Sequence, residues 1–138
     1  MNEIILSTIP FLMDGLLMTF KISLFTIFFG SLIGVVVGML RSLDYAIITY
    51  PLGAYIHALR GTPFLIHLYL VYFMLPMTGI SWLQFEAFPA AVIALSMYTS
   101  TYVAEIVRSA IQAVPRGQSE AARSIGMTAL QSMWYVVL

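Results

Sequence analysis

Long apolar stretches alternate along the chain with short polar or helix-breaking segments. A charge-free run extends from Ile22 to Leu40, and it is long enough to cross a bilayer core, which takes about 20 helical residues. Two further apolar stretches end near residues 76 and 107. The pattern predicts an all-α integral membrane fold with three transmembrane helices, at about residues 20–40, 55–76 and 89–107.

The second predicted span contains a cation and two helix-breaking residues. Its uninterrupted apolar part, residues 64–75, reaches only about 18 Å at about 1.5 Å per residue, which is too short to cross a bilayer. The span therefore has to begin upstream, near Tyr55, which places Arg60 inside the membrane boundary. Gly61 and Pro63 are expected to break the helix beside this charge.

Two interpretations of this broken, charged helix are open. An arginine inside a membrane is costly unless it is paired, lines a wet cavity or snorkels, and backbone groups freed by a helix break need protein or water partners. Arg60 and Thr62 therefore either line a solute or gating site, or Arg60 snorkels to the nearby interface.

Polar side chains also occur within the third span. Ser96, Thr99 and Ser100 share one helix face, where they either hydrogen-bond to a neighbouring helix, at about 0.6 kcal/mol each, or line a translocation path. Glu105 and Arg108 are spaced to pair near the inner end of the span. The candidate translocation-path residues are Arg60, Thr62, Tyr98, Ser100 and Glu105.

A glycine stripe (Gly30, Gly34 and Gly38) repeats every four residues in the first span. Because the hydrophobic effect contributes little between helices in lipid, small residues mark the face where another helix backbone packs closely. The stripe is predicted to be a helix-packing face within the fold or a dimer.

The two ends of the chain differ from its transmembrane core, which is predicted at residues 15–114. Residues 1–14 are apolar but interrupted by Pro10, which predicts a short interfacial segment. Residues 115–138 are the most charged part of the chain and predict a helix–turn–helix. Its signals are Gly126, at the position of a left-handed helix cap, and Thr128 with Gln131, at capping-box spacing.

Composition agrees with a membrane protein and excludes several other classes. The chain is 61% hydrophobic and 9% charged, against about 25% charged residues in soluble domains. Zero net charge gives no indication of nucleic-acid binding, and the absence of cysteine excludes disulfides and thiolate chemistry. His57 and His67 have no third ligand in the pattern, so no metal site is expected. No phosphate-binding glycine loop or nucleophile motif suggests an enzyme.

The distribution of Lys and Arg predicts the orientation in the membrane. The connection at residues 77–88 has none, whereas Arg41, Arg108, Arg116 and Arg123 flank the opposite ends of the spans. Because positive loops stay in the cytoplasm, the N-terminus is predicted outside and the C-terminal segment in the cytoplasm.

The C-terminal segment resembles the EAA loop of ABC importer permeases. Glu120-Ala121-Ala122 and Gly126 match that motif, and Val136 and Leu138 stand at its Ile and Leu positions. The quartet Arg60-Gly61-Thr62-Pro63 and the run YVAEIVR at 102–108 resemble the polar amino-acid (histidine, glutamine and arginine) branch of these permeases.

This resemblance implies a permease subunit of a bacterial inner-membrane importer for polar amino acids. ATP and Mg would be bound by separate cytosolic ATP-binding subunits, which dock on an EAA-type coupling loop carried by Glu120, Ala121, Ala122 and Gly126. The other implied partners are an extracytoplasmic solute-binding protein and a second permease copy or paralogue that forms a dimer. Family members continue past the motif, so the chain is expected to be C-terminally incomplete. The alternatives are part of an ion-coupled secondary transporter and a membrane scaffold that transports nothing.

Overall fold

The computed structural model describes residues 2–43 and 45–137 of the chain. Within these ranges the regular structure is helical and contains no strand, which confirms the all-α prediction. Met1, Asp44 and Leu138, which belong to the predicted N-terminal segment, transmembrane core and C-terminal segment, lie outside the described residues. The helices are α1 (Asn2–Arg41), α2 (Ala46–Arg60), α3 (Phe64–Tyr69), α4 (Leu75–Met77), α5 (Ala87–Ala113), α6 (Arg116–Ser124) and α7 (Ala129–Ser132).

Two of the described helices are long and apolar enough to cross a membrane, namely α5 and the Thr8–Arg41 part of α1. The segment that links them, α2 followed by Phe64–Met77, adds a third crossing if it is counted as one bent span. Large apolar side chains along α1 are exposed, as expected for a surface that lipid covers, and Phe11, Leu16 and Phe20 are examples.

The glycine stripe of α1 lies directly against α5. A Cβ atom added to Gly34 would be 2.5 Å from the Cβ of Val103 and 2.8 Å from the carbonyl oxygen of Ser100. A Cβ atom added to Gly30 would be 2.9 Å from the Cβ of Thr99, and one added to Gly38 would be 2.8 Å from the Cβ of Val107. Each step of four residues along α1 is matched by a step of four along α5, so the two helices run parallel and in contact through their backbones.

A larger side chain in this contact is expected to separate the two helices. Gly34→Leu should lower the free energy of unfolding by about 1–3 kcal/mol or more, the range typical of overpacking. The new atoms would meet the backbone carbonyl of Ser100 as well as a side chain, and backbone gives way less easily. Thermal unfolding in detergent measures this as a lower midpoint. Gly15→Leu is the matched control, since a Cβ at Gly15 has nothing within 4 Å. Equal midpoints for the two variants would contradict the packing.

The helix α1 is continuous through Pro10, which differs from the break expected there. Proline removes one backbone hydrogen bond, and the turns on both sides can keep the helix intact when that is its only cost. The position of residues 1–14 at the membrane interface stays a prediction.

The second predicted span is not one straight helix. The helix axis bends by 104° between α2 and Phe64–Met77, so residues 55–76 form two arms instead of a single rod. Pro63 has no N–H group and disfavours helical geometry in the preceding residue, and Gly61 ends α2 with its N–H bonded to the His57 carbonyl. The expected break is therefore present, and its sharp angle is the correction.

The second arm runs back along α5 towards its N-terminus. Residues 70–74 form a π-helical turn between α3 and α4. Val71 is buried against Ala90 and Ala94, and Phe64 lies farther along α5, beside Tyr98. Later residues of the arm meet earlier residues of α5, so the two are antiparallel. The first arm, α2, packs instead against the C-terminal halves of α1 and α5 through Ile56.

The C-terminal segment (residues 115–137) contains α6, a tight turn and α7, followed by a π-helical turn over Met133–Val137. Gly126 has a φ of 89°, and two hydrogen bonds close the turn, from Met127 N to Ala122 O (3.2 Å) and from Gly126 N to Arg123 O (3.0 Å). This pair of bonds is a Schellman motif, which requires the left-handed residue. Thr128 then begins α7 through a complete capping box with Gln131.

Candidate functional site

Side chains from the helix break and from α5 form an aromatic and cationic group, here called the break cluster (Arg60, Thr62, His67, Tyr98 and Tyr102). The Arg60 guanidinium carbon lies 4.7 Å from the centroid of the Tyr102 ring, within the range of a cation–π interaction. The Tyr102 hydroxyl is 3.0 Å from the Tyr98 hydroxyl, and the Tyr98 ring stands 6.0 Å from that of His67. The break therefore places Arg60 beside the middle of α5.

Thr62 and His67 are joined across the break. The Thr62 hydroxyl donates to the Ala58 carbonyl at 2.9 Å and lies 2.7 Å from Nε2 of His67. Because a hydroxyl has one proton to donate, His67 Nε2 must be the donor to Thr62 when Thr62 bonds to Ala58. The buried Nδ1 of His67 has no hydrogen-bond partner among the described residues.

An ion pair connects α1 to α5 about one helical turn beyond the break cluster, towards the C-terminus of α5. Nη1 of Arg41 is 2.6 Å from Oε2 of Glu105, and the two side chains are 9% and 38% exposed. Arg108, the partner expected from the sequence spacing, is farther away, with Nη1 at 4.0 Å from Oε1. The main ion-pair partner of Glu105 is therefore Arg41.

The ion pair and Arg60 of the break cluster line the same cavity, here called the inner cavity. It has a volume of about 410 Å³ and is lined by Arg41, Ile56, His57, Arg60, Gly61 and Glu105. Two arginines and one glutamate give this space a net positive lining. An adjoining cavity of about 370 Å³ also touches Arg60, Glu105 and Tyr102.

Ser100 lies apart from the other candidate path residues. It is fully buried, its hydroxyl donates to the Met97 carbonyl at 2.7 Å, and it lies 2.8 Å from the Tyr55 hydroxyl. Its carbonyl also lies against Gly34 of the stripe. These contacts place Ser100 between helices, in the role of the interhelical hydrogen bond that the sequence left as one of two interpretations.

The C-terminal segment presents its candidate coupling residues unequally. Glu120 and Ala121 are exposed, whereas Ala122 is only 5% exposed and faces the rest of the chain. Gly126 is exposed and shapes the turn. A cavity of about 530 Å³ separates this segment from the end of α5, with Glu120 and Arg123 on one wall and Ile111 and Gln112 on the other.

Some residues of these clusters are not singled out by the sequence pattern. Arg41 enters only the charge count for orientation, and it is 64 residues from Glu105, so no local spacing announces their pair. Tyr102 could have been found, because its spacing of four from Tyr98 places both rings on one helix face. His67 contributes through a contact that exists only once the helix is broken.

The comparison with known protein families is decisive for the chain as a whole. Residues 30–138 match the family of binding-protein-dependent transport system inner membrane components. The chain belongs to this family. Members of this family are inner-membrane components of transport systems, and the chain is accordingly an inner-membrane protein.

The chain is also similar to individual proteins that are named as components of amino-acid transporters. The probable amino-acid ABC transporter permease YckA of Bacillus subtilis is 36% identical over 99% of the chain. The glutamate/aspartate import permease GltK of Escherichia coli is 33% identical over 97%. A solved structure described as a crystal structure of an amino acid ABC transporter with histidines superimposes with a TM-score of 0.83, at 39% identity over 97% of the chain.

The chain spans about three fifths of the length of these relatives, namely 59% of YckA, 62% of GltK and 61% of the solved chain. The family match and these relatives confirm, at the level of the family, the resemblance to ABC importer permeases seen in the sequence. The family match supports the importer interpretation over the secondary transporter and the scaffold.

Proposed function

We propose that this chain is the permease subunit of an ATP-driven importer that moves polar amino acids across the bacterial inner membrane. The observation that carries the proposal is similarity, over nearly the whole chain, to permeases of amino-acid ABC transporters. ATP and Mg bind to separate cytosolic ATP-binding subunits in this account. An extracytoplasmic solute-binding protein delivers the amino acid, and a second permease copy or paralogue completes a dimer.

The parallel packing of α1 and α5 supports a topology of three crossings. Because the two helices point the same way, the chain between them has to return from the end of α1 to the start of α5. The bent segment provides that return, since α2 packs on the C-terminal halves of both helices and the second arm follows α5 back to its N-terminus.

The proposed orientation places the N-terminus outside and the C-terminal segment in the cytoplasm, because the positive residues Arg41, Arg108 and Arg123 gather at that end. A cysteine at Trp82 should react with a membrane-impermeant maleimide in intact cells, since Trp82 is exposed in the connection before α5. A cysteine at Gly117, also exposed, should react only after the cells are opened. The chain has no native cysteine, so both signals are clean. The reverse pattern would invert the proposed topology.

The C-terminal segment is the proposed docking site for the ATP-binding subunit. Glu120 and Ala121 are the exposed groups that can contact a partner, and Gly126 fixes the direction of α6 through its left-handed conformation. Ala122, which faces inward, contributes as a packing residue that holds α6 in place. The capping box of Thr128 then starts α7 at a defined angle.

The inner cavity and the break cluster are the proposed part of the translocation path. Arg60 lines both cavities beside α5, and none of the described carboxylates lies within 4.0 Å of it. An ionisable residue within a membrane span that faces a cavity is typical of a substrate or ion pathway. Glu105 lines the same two cavities, Thr62 and Tyr98 belong to the neighbouring break cluster, and Ser100 is buried between the helices.

Reconstitution separates the proposed function from its alternatives. The chain is placed in proteoliposomes with the candidate ATP-binding subunit and the solute-binding protein, and uptake of labelled polar amino acids is measured. Uptake that requires ATP inside the vesicle and persists after ion gradients collapse is the expected result. Uptake driven by an ion gradient without ATP would support the secondary transporter, and no uptake in the complete assembly would support the scaffold.

A further inference from the structure

Arg41 is the point at which three helices meet. It is the last residue of α1, it is paired with Glu105 of α5, and a Cβ added to Gly53 of α2 would be 4.0 Å from its Nη2 atom. The residue is only 7% exposed, and its Nε has no hydrogen-bond partner among the described residues. A cation buried to this extent depends on its one carboxylate.

Glu105 is held by Arg41 through only one of its two oxygens. Oε2 makes the 2.6 Å contact, whereas Oε1 makes no hydrogen bond to the described residues and has Arg108 at 4.0 Å. The side chain is 38% exposed and lines both cavities. Besides Arg41 and the more distant Arg108, the carboxylate can turn towards a further cation that lines the same cavities.

That further cation is Arg60. It lines both cavities with Glu105, and its guanidinium rests on the ring of Tyr102, which is three positions before Glu105 on α5 and so on a neighbouring part of the same face. The inner cavity thus contains two arginines, Arg41 and Arg60, and one carboxylate. In this structure Arg41 forms the ion pair with Glu105, and Arg60 makes a cation–π contact with Tyr102.

We propose that Arg41 is a positioning residue of the translocation path. Arg41, at the end of α1, holds the carboxylate of Glu105 on α5 and so leaves Arg60 available to the inner cavity. When Arg41 releases Glu105, the carboxylate pairs with Arg60 and draws the end of α2 onto α5, which closes the cavity. The role in transport rests on the proposed function, whereas the exchange of ion-pair partners is a property of this chain alone.

The two partners of the ion pair should respond differently to removal. Arg41→Gln leaves a partly exposed carboxylate that keeps Arg108 at 4.0 Å and can pair with Arg60, so the protein should stay folded. Glu105→Gln leaves a buried guanidinium without a counter-charge and should lower the thermal midpoint more. A larger loss in Arg41→Gln than in Glu105→Gln would contradict the asymmetry on which the exchange depends.

A distance measurement tests the exchange without transport. Cysteines replace the exposed residues Ala58 on α2 and Ala110 on α5, and spin labels on them report the separation of the two helices in lipid nanodiscs. The label distance should shorten in Arg41→Gln and return to its original value in Arg41→Gln with Glu105→Gln, where no carboxylate remains for Arg60. Unchanged distances in Arg41→Gln would overturn the proposal.

Uptake by the assembled importer provides the second measurement. Arg41→Gln should reduce the maximal uptake rate about tenfold, the effect of a shift of about 1.4 kcal/mol towards the closed arrangement. The double variant should transport faster than Arg41→Gln alone but below the original rate, because Glu105 itself lines the path, and Arg41→Lys should retain most of the original rate. A purely structural role predicts that uptake follows the thermal midpoint in every variant and that the label distances do not change. If the unaltered protein transports nothing while the label distances respond as described, the proposed function fails and the exchange of partners stands.

Discussion

Replacing Gly126 with valine is expected to abolish ATP-driven uptake while leaving the chain inserted in the membrane. Gly126 has a φ of 89°, which a β-branched residue adopts only with strain, at a cost of about 1–3 kcal/mol. The two hydrogen bonds of the Schellman motif hold α6 only while this conformation persists. Losing it reorients the proposed docking helix, so uptake in reconstituted vesicles should fall at least about tenfold.

Two further variants separate backbone strain from other effects at this turn. A Cβ at Gly126 has nothing within 4 Å, so bulk is not the problem, and Gly126→Asn should keep part of the activity because asparagine tolerates the left-handed region. Gly117→Ala, at an equally open position of α6 with ordinary φ, should transport normally. Normal coupled uptake by Gly126→Val would show that the turn is not part of the coupling mechanism.

Removing Arg60 is expected to have the second largest effect. Arg60→Ala deletes the cation shared by both cavities and its contact with Tyr102, and it should reduce uptake by about tenfold or more if the cation contributes about 1.4 kcal/mol to binding or switching. Because Arg60 is exposed and has no ion pair with the described residues, the thermal midpoint should change little.

Conservative and distant cations provide the controls for Arg60. Arg60→Lys keeps the charge but lacks the planar group that stacks on Tyr102, so it should retain intermediate uptake. Lys21→Ala removes an exposed cation from α1, away from the cavities, and should leave uptake unchanged. Full activity in Arg60→Ala would assign the residue to the snorkelling alternative.

The parts of the fold that the sequence predicts well are those with a local signal. The glycine stripe can pack only where another backbone comes close, and it lies on α5. The left-handed Gly126 and the capping box of Thr128 depend on residues a few positions apart, and both are present at the expected positions. Gly61 and Pro63 likewise mark the helix break at the residues where it occurs.

The remaining features depend on distant residues or on angles that no local pattern encodes. Arg41 meets Glu105 only because α1 and α5 are parallel and in register. The sequence instead suggests Arg108, which is three residues from Glu105 but lies farther from it in the structure. The 104° bend follows from how each arm packs on α5, not from Pro63 alone. Ala121 and Ala122 look equivalent in the motif, yet only one of them faces outward once α6 packs on the rest of the segment.

The most direct test of the central proposal is crosslinking from a cysteine at Ala121 in membranes that contain the candidate ATP-binding subunit. Ala121 is exposed, its neighbour Ala122 is buried and serves as the matched control, and the chain has no native cysteine. The account predicts a crosslink from position 121 to the ATP-binding subunit whose yield changes with ATP, and little from position 122. No crosslink from position 121, with the segment shown to be cytoplasmic, would contradict it.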